Sequence, residues 1–385
     1  MILSALLAVF FLFTGSVLPG SAAAPAAASF ASSAPDITAV SAIVADAGTG
    51  AIFYEKDMHR AMYPASITKI LTGLLAVERG NTQSAFAVTP TALSAMPSNA
   101  ARAGLVSGEQ ITLDEALYTM FLASANDSAN AIAIQVGGSI PNFVQMMNAR
   151  AKQLGAVDSH FDNPSGLPDK NNLTSAYDMA IITRQALEEP SLMKYFGAKS
   201  YVMPATNKYP KTRAFTTLQK MMKDTAYQYD GTIAGKTGWE TMSGHTLVTA
   251  AQRNGRTLIC VVLRSSDGYS VYQDSIKLLN YSFTLPASYS VGSLLAPAAA
   301  QPSSSAQSTR FASSSPAVPS KAAVHTGKIA VPRDMGTTAA PILLLLFILC
   351  PFVLFLLLRR PKLAAQQPEP PRARIRPRRP PEGRP

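Results

Sequence analysis

Three short clusters in this chain gather hydroxyl, amide and amine side chains: Ser66-Ile67-Thr68-Lys69, Ser124-Ala125-Asn126 and Lys236-Thr237-Gly238. A serine hydroxyl is a poor nucleophile at neutral pH and must lose its proton as it attacks, so a base has to stand within reach. Lys69 can be that base if it is neutral, which for an amine requires burial or a second cation nearby. Lys236 is the candidate for that cation. Helical spacing carries Lys69 one turn beyond Ser66 on the same face, and Pro64-Ala65 ahead of an apolar run places Ser66 at a helix start, where developing negative charge is favoured. Ser191-Leu192-Met193-Lys194 repeats the spacing, but in a short segment after Pro190. A serine and a lysine sharing one turn of a surface helix is its ordinary meaning.

The second cluster has two possible registers, because Ser128-Ala129-Asn130 follows one helical turn later. Ser124 and Asn126 are preferred, since they fall in the break between two apolar helices, where a loop can present polar groups to a cleft. Ser128 and Asn130 sit in a helix body and are expected to cap it or face solvent. Ser124 would then relay a proton to a leaving amine, and Asn126 would hold an amide of the substrate. The third cluster precedes a hairpin and is expected at the exposed end of an edge strand, to which an extended peptide can add by main-chain hydrogen bonds. Gly238 leaves room for close approach, and Lys236 with Thr237 offers a cation and a hydroxyl to a carboxylate.

These clusters need elements to hold them. Apolar stretches at 40–46 and 51–56 around Gly48-Thr49-Gly50, and at 246–251 and 257–263 around Asn254-Gly255, predict two hairpins. Helices are expected at 67–78, 113–122, 127–136, 143–154 closed by Gly155, and 175–187, with a last one around Ile276, Leu278 and Leu279. Strands that bracket a helical interior imply an α/β (α+β) fold in which one antiparallel sheet is assembled from both ends of the domain and flanked by helices, with a helical subdomain between.

The order, the separations and the flanking residues of the three clusters (Tyr63-Pro64-Ala65-Ser66, Leu122-Ala123-Ser124-Ala125-Asn126-Asp127, Gly235-Lys236-Thr237-Gly238) resemble those of the low-molecular-mass penicillin-binding proteins, the serine-type D-alanyl-D-alanine carboxypeptidases. The resemblance runs through about 38–283, including Asp46-Ala47-Gly48-Thr49-Gly50 and Lys277-Leu278-Leu279-Asn280-Tyr281. It implies a β-lactamase/DD-peptidase-like fold and Ser66 as an acylated nucleophile with Lys69 as base. The backbone N–H groups of Ser66 and Trp239 would form an oxyanion hole. Substrates would be peptidoglycan stem peptides, with β-lactam antibiotics as acylating inhibitors and no cofactor or metal. Three departures from that pattern stand out: no β-rich domain follows, Leu173 stands where relatives often have His, and Tyr269-Ser270-Val271 lacks an Arg that some use to bind a terminal carboxylate. Arg264 is a candidate substitute.

Two rivals share parts of this pattern. A class A β-lactamase needs a carboxylate to activate the deacylating water, yet no Glu with the expected following Asn lies between Asn126 and Lys236. Glu188 and Glu189 lead into Pro190-Ser191-Leu192 instead. A catalytically idle wall-binding factor would have no need of an intact Ser66, Lys69 and Lys236.

The ends of the chain call for separate treatment. Of a formal charge of +11, nine Lys or Arg against two Glu between 359 and 385 account for +7, leaving +4 on the rest and no nucleic-acid footprint. Residues 2–13 form an apolar run of signal-peptide length, so 1–28 is expected to be a signal peptide; no Lys or Arg precedes the run, which keeps an uncleaved anchor as the alternative. The catalytic domain is expected over 35–285 and a Pro/Ala/Ser-rich linker over 286–334. A membrane helix is expected over 336–358, because residues 339–358 are free of charge and long enough to cross a hydrocarbon core ~30 Å thick. The basic tail 359–385 then faces the cytoplasm and the catalytic domain lies outside. Cys260 and Cys350 fall in a β-like and a membrane-like run, a placement that suits neither a disulfide nor a metal site.

Overall fold

Side chains that alternate at period two decide the central layer. The computed structural model describes residues 33–291 and 295. In it β1 (Ser41–Asp46) turns back into β2 (Ile52–Lys56), and a 3-10 turn, Ala65–Thr68, leads into α1 (Lys69–Arg79). The interior follows as β3 (Ala85–Ala87), α2 (Pro90–Ser94), β4 (Gln110–Thr112), α3 (Leu113–Leu122), α4 (Asn126–Gly137) and α5 (Ile140–Leu154). After it come α6 (Ala176–Leu187), α7 (Pro190–Phe196), β5 (Ser200–Met203), β6 (Arg213–Thr216), β7 (Thr232–Glu240), β8 (Gly244–Arg253), β9 (Arg256–Ser265) and α8 (Ser270–Thr284).

One antiparallel sheet has the order β2-β1-β9-β8-β7, so strands from opposite ends of the domain meet where Val44 pairs with Cys260. This is the both-ends assembly that the sequence predicts. Ala42, Val44, Leu258, Cys260 and Val262 face Val271, Leu278 and Leu279 of α8, while Ile43, Ala45, Ile259, Val261 and Leu263 face the helical interior. Both faces are apolar because both are covered. Asn254 (φ 49°) and Gly255 (φ 76°) both adopt the left-handed conformation that a two-residue hairpin of type I′ demands.

The helices start where their caps put them. Thr112 and Glu115 form a reciprocal capping box on α3, and Ser175 accepts from Asp178 N at the head of α6. Ser139 caps α5 with Pro141 in its first turn, which starts that helix at Ile140 rather than at 143. The helix expected from 67 begins as the tight 3-10 turn instead, and the two-stranded ribbons β3-β4 and β5-β6 are too short to show periodicity. Val291 N donates to Ile52 O and Leu295 N to Gly50 O, so ordered chain continues past 285 along the β2 edge. Residues 1–28, 336–358 and 359–385 lie outside the described residues, as does 286–334 apart from 286–291 and 295. Among the described residues no helix is long and apolar enough to cross a membrane.

One buried carboxylate ties three segments together. Asp274 on α8 accepts from Thr38 N, Thr38 Oγ1, Ala39 N and Ser265 Oγ at 2.8–3.1 Å, joining the entry to β1 and the end of β9. Asp274→Ala strands these donors at a fully buried site, each unsatisfied group costing about 1–3 kcal/mol. We expect a loss of roughly 3–5 kcal/mol in urea unfolding, since such penalties are not additive; a loss under about 1 kcal/mol would show that the network carries no such weight.

Candidate active site

The catalytic turn starts from strained backbone. Ala65 is left-handed (φ 51°), and the following Ser66 is half-exposed while Lys69, one turn later, is fully buried. Lys69 Nζ lies 2.9 Å from Ser66 Oγ, 2.9 Å from Asn126 Oδ1 and 2.6 Å from the Ser165 carbonyl oxygen. Two of these partners can only accept, and a neutral amine has two N–H donors and one lone pair. With both donors spent on Asn126 and Ser165, the lone pair is left for the Ser66 hydroxyl proton. Burial, and after it the field of Lys236, holds the Lys69 amine well below the usual lysine range; Glu240 and Asp127 oppose that shift. Burial and a second cation, the two causes considered from sequence, therefore both act, and burial is the larger.

The support beneath Lys69 is a loop to which sequence reasoning assigned no role, Asn163-Pro164-Ser165-Gly166. Asn163 Oδ1 accepts from the backbone N–H groups of Ser165, Gly166 and Leu167, Pro164 O accepts from Thr72 Oγ1, and Ser165 O accepts from Lys69. Gly166 has φ 82°, and a Cβ there would stand 1.8 Å from Ala65 O, so only glycine lets this loop pass the nucleophile's turn. The Asn-Pro-Ser-Gly run, a cluster of turn formers, was the available signal.

Ser124 occupies the break between α3 and α4 in a left-handed conformation (φ 55°), and Asn126 is the first residue of α4. Both are buried. Lys236 Nζ lies 2.9 Å from Ser124 Oγ and 2.9 Å from Thr237 O; burial pushes its pKa down to about 7. Asn126 is engaged at both ends of its amide, Oδ1 with Lys69 and Nδ2 with Ala101 O, leaving one N–H for an incoming carbonyl. Asp127 beside it accepts from Ala103, Gly104 and Leu105, fixing the segment that supplies Ala101. Ser128 and Asn130, expected at the surface or capping, are buried instead: Ser128 bonds Thr119 Oγ1 and Asn130 donates to Ala92 O. They pin α4 to its neighbours.

Strand β7 is the sheet edge expected for the third cluster, but Lys236 stands in its middle and is buried rather than lying at an exposed end. A Cβ on Gly238 would fall 2.9 Å from Ser66 N and 2.4 Å from Thr246 Oγ1, so glycine is what lets β7 run against the nucleophile's backbone. Thr246 in turn donates to Pro64 O, fastening that turn from β8. Thr237 is half-buried, and Trp239, next along the strand, is 58% exposed.

The remaining candidates stand apart. Ser191 is exposed, and Lys194 is paired with Asp114, so the duplicate Ser-x-x-Lys forms no dyad. Arg264 is exposed in a bulge at the end of β9, with β8 between it and β7. Glu188 caps the end of α6. Two carboxylates reach Lys69 by their field, Glu240 and Asp127; Glu240 lies beyond the interval between Asn126 and Lys236 in which a deacylating base is expected.

Comparison with known proteins agrees with this geometry. A family model described as D-alanyl-D-alanine carboxypeptidase matches residues 28–267. The chain is 32% identical over 250 residues to the D-alanyl-D-alanine carboxypeptidase DacF of Bacillus subtilis, covering 64% of this chain and 62% of that relative's length. It is 32% identical over 265 residues to DacB2 of Mycobacterium tuberculosis, covering 68% of this chain and 87% of the relative. The crystal structure of the Streptomyces K15 DD-transpeptidase superposes with a TM-score of 0.62 at 27% identity, covering 66% of this chain and all of that one.

The depressed Lys236 pKa has a consequence for stability. Between about 7 and the ordinary lysine value of 10.5 the unfolded chain binds a proton that the folded chain does not, so this lysine's penalty is full below pH 7 and is relieved as pH rises through that window. Lys236→Met removes the titration while Lys69 stays in place. In urea unfolding, wild type should gain stability on the variant between pH 7 and pH 9. Parallel pH dependences would show that the burial carries no such cost.

Proposed function

The chain belongs to the D-alanyl-D-alanine carboxypeptidase family, and on that footing we propose that it removes the terminal D-alanine from peptidoglycan stem peptides through an acyl-enzyme on Ser66. The observation that carries this reading is the Lys69 amine, buried, lowered in pKa and bound so that its lone pair is left for the Ser66 hydroxyl. Ser66 Oγ attacks the carbonyl of the penultimate D-Ala as its proton passes to Lys69. Charge that develops on the carbonyl oxygen is taken by the N–H groups of Ser66 and Trp239, an arrangement made feasible by the glycine contact between β7 and the turn. The C–N bond then breaks. The leaving amine takes a proton from Ser124, which recovers one from Lys236; the proton that Lys69 took from Ser66 then replaces the one Lys236 gave up, so Lys69 is neutral again. Water, deprotonated in its turn by Lys69, releases the acyl group and restores Ser66. The terminal carboxylate rests on Lys236 and Thr237, and β-lactams enter as acylating inhibitors by the same attack on their ring amide.

Wild-type protein should release D-alanine from an acyl-D-Ala-D-Ala peptide and hold a stable fluorescent penicillin label. Ser66→Ala should lose both while keeping its fold, and Ser191→Ala should lose neither. A labelled Ser66→Ala protein would remove the nucleophile assignment, whereas rapid penicillin turnover by wild type would favour the β-lactamase rival.

For its cellular setting we propose export by residues 1–28, a tether in 286–334, one membrane helix at 336–358 and the basic tail inside, with the catalytic domain extracellular. The support is the charge-free run followed at once by Arg359, Arg360 and Lys362. Protease added to intact cells should cut the tether and release an active domain. Digestion of the 359–385 tail with the domain spared would reverse the topology.

A further inference from the structure

Glu240 is a half-buried carboxylate at the end of β7, and among the described residues its side chain takes no hydrogen bond and no ion pair. Lys236, Gly238 and Glu240 share one face of the strand by period-two alternation, and the glycine contact shows that this face looks onto the Ser66 turn. Glu240 lines a shallow depression with Ala65, Gly166, Asn172 and Met242, and exposed Asp169 stands on the same rim. Its place along the strand matters. With the substrate's carboxylate at Lys236 and Thr237 and the scissile carbonyl at Ser66 beside Gly238, residues ahead of the scissile bond must run towards Glu240. That direction rests on the carboxypeptidase reading. Strands rise about 3.3 Å per residue, so Lys236 to Glu240 spans about 13 Å, room for the last three residues of an extended peptide.

We propose that Glu240 is a specificity-determining residue, which pairs with a free primary amine on the side chain of the residue immediately preceding D-Ala-D-Ala. The ligand class is a diamino-acid residue with its side-chain nitrogen unacylated. Burial already raises the Glu240 pKa, and the lysine that opposes this, Lys69, gives its N–H groups to Asn126 and Ser165 rather than to this carboxylate. An incoming ammonium supplies the missing partner, and a peptide whose amine is acylated, as in a cross-link, leaves the carboxylate desolvated and unpaired.

The test compares Nα-acetyl-L-Lys-D-Ala-D-Ala with its Nε-acetyl derivative on the full-length protein. Wild type should favour the free amine about tenfold in kcat/KM, the scale of one partly exposed charge-assisted hydrogen bond. Glu240→Gln should bring the ratio to about one by lowering only the free-amine value, and Glu240→Lys should invert it. Thermal unfolding would confirm that both variants fold. A wild-type ratio near one, or a ratio unchanged in Glu240→Gln, overturns the proposal. So does a variant that slows both peptides equally and prolongs the penicilloyl-enzyme, which would make Glu240 part of acyl transfer. If neither peptide is cleaved, the carboxypeptidase reading fails by itself; the acylation rates of a penicillin with an amine-terminated side chain and of its N-acetyl form then decide Glu240 in the same way.

Discussion

Taking a lysine amine out of water costs several kcal/mol if it keeps its charge and its protons lack acceptors, and this protein buries two such amines in one cleft. Lys69 and Lys236 are both buried, each beside a serine. Much of the surrounding structure follows from satisfying them without giving them carboxylates. Their partners are neutral: an asparagine oxygen, two carbonyls and two hydroxyls. A carboxylate paired with Lys69 would hold that amine protonated and useless as a base. That choice explains why the loop at Asn163–Gly166 is braced by its own asparagine and why Asp127 spends its charge on backbone N–H groups nearby.

Strain gathers at the same places. Among the described residues, Ala65 and Ser124 are two of five non-glycine residues with positive φ, and they immediately precede or constitute the two serines of the cleft. Such conformations cost about 1–3 kcal/mol each and persist only where the surroundings over-determine them. Here the surroundings are visible: Thr246 and Gly166 press on the first turn, and the buried head of α4 fixes the second.

What could be read from the sequence was what is local. Hairpin turns, caps and the Ser-x-x-Lys turn carry their physics within a few residues, and so the sheet built from both ends and most helices were legible. Side chains whose role depends on a distant partner were not. Ser128 and Asn130 look like solvent-facing residues until α2 and α3 are packed against them, and Lys236 looks like a strand-end cation until Ser124 is brought beside it. Ser165 contributes only a main-chain oxygen, which no residue type advertises. Glu240 lies beyond the third cluster, outside the interval between Asn126 and Lys236 in which a deacylating carboxylate is expected, and nothing in its local sequence marks it.

The last described residues bear on how the domain takes load. Chain leaving the fold at 291 and 295 is hydrogen-bonded to the β2 edge, and β2 and β7 are opposite margins of the sheet. With neighbouring strands about 4.8 Å apart, the departure point is about 19 Å of sheet away from the strand that lies against Ser66. Tension on the following chain therefore peels Leu295 from Gly50 and then Val291 from the start of β2. Three strands stand between that tear and the cleft, so a pull on the chain beyond 295 would open the β2 margin of the sheet before it reached the strand beside Ser66.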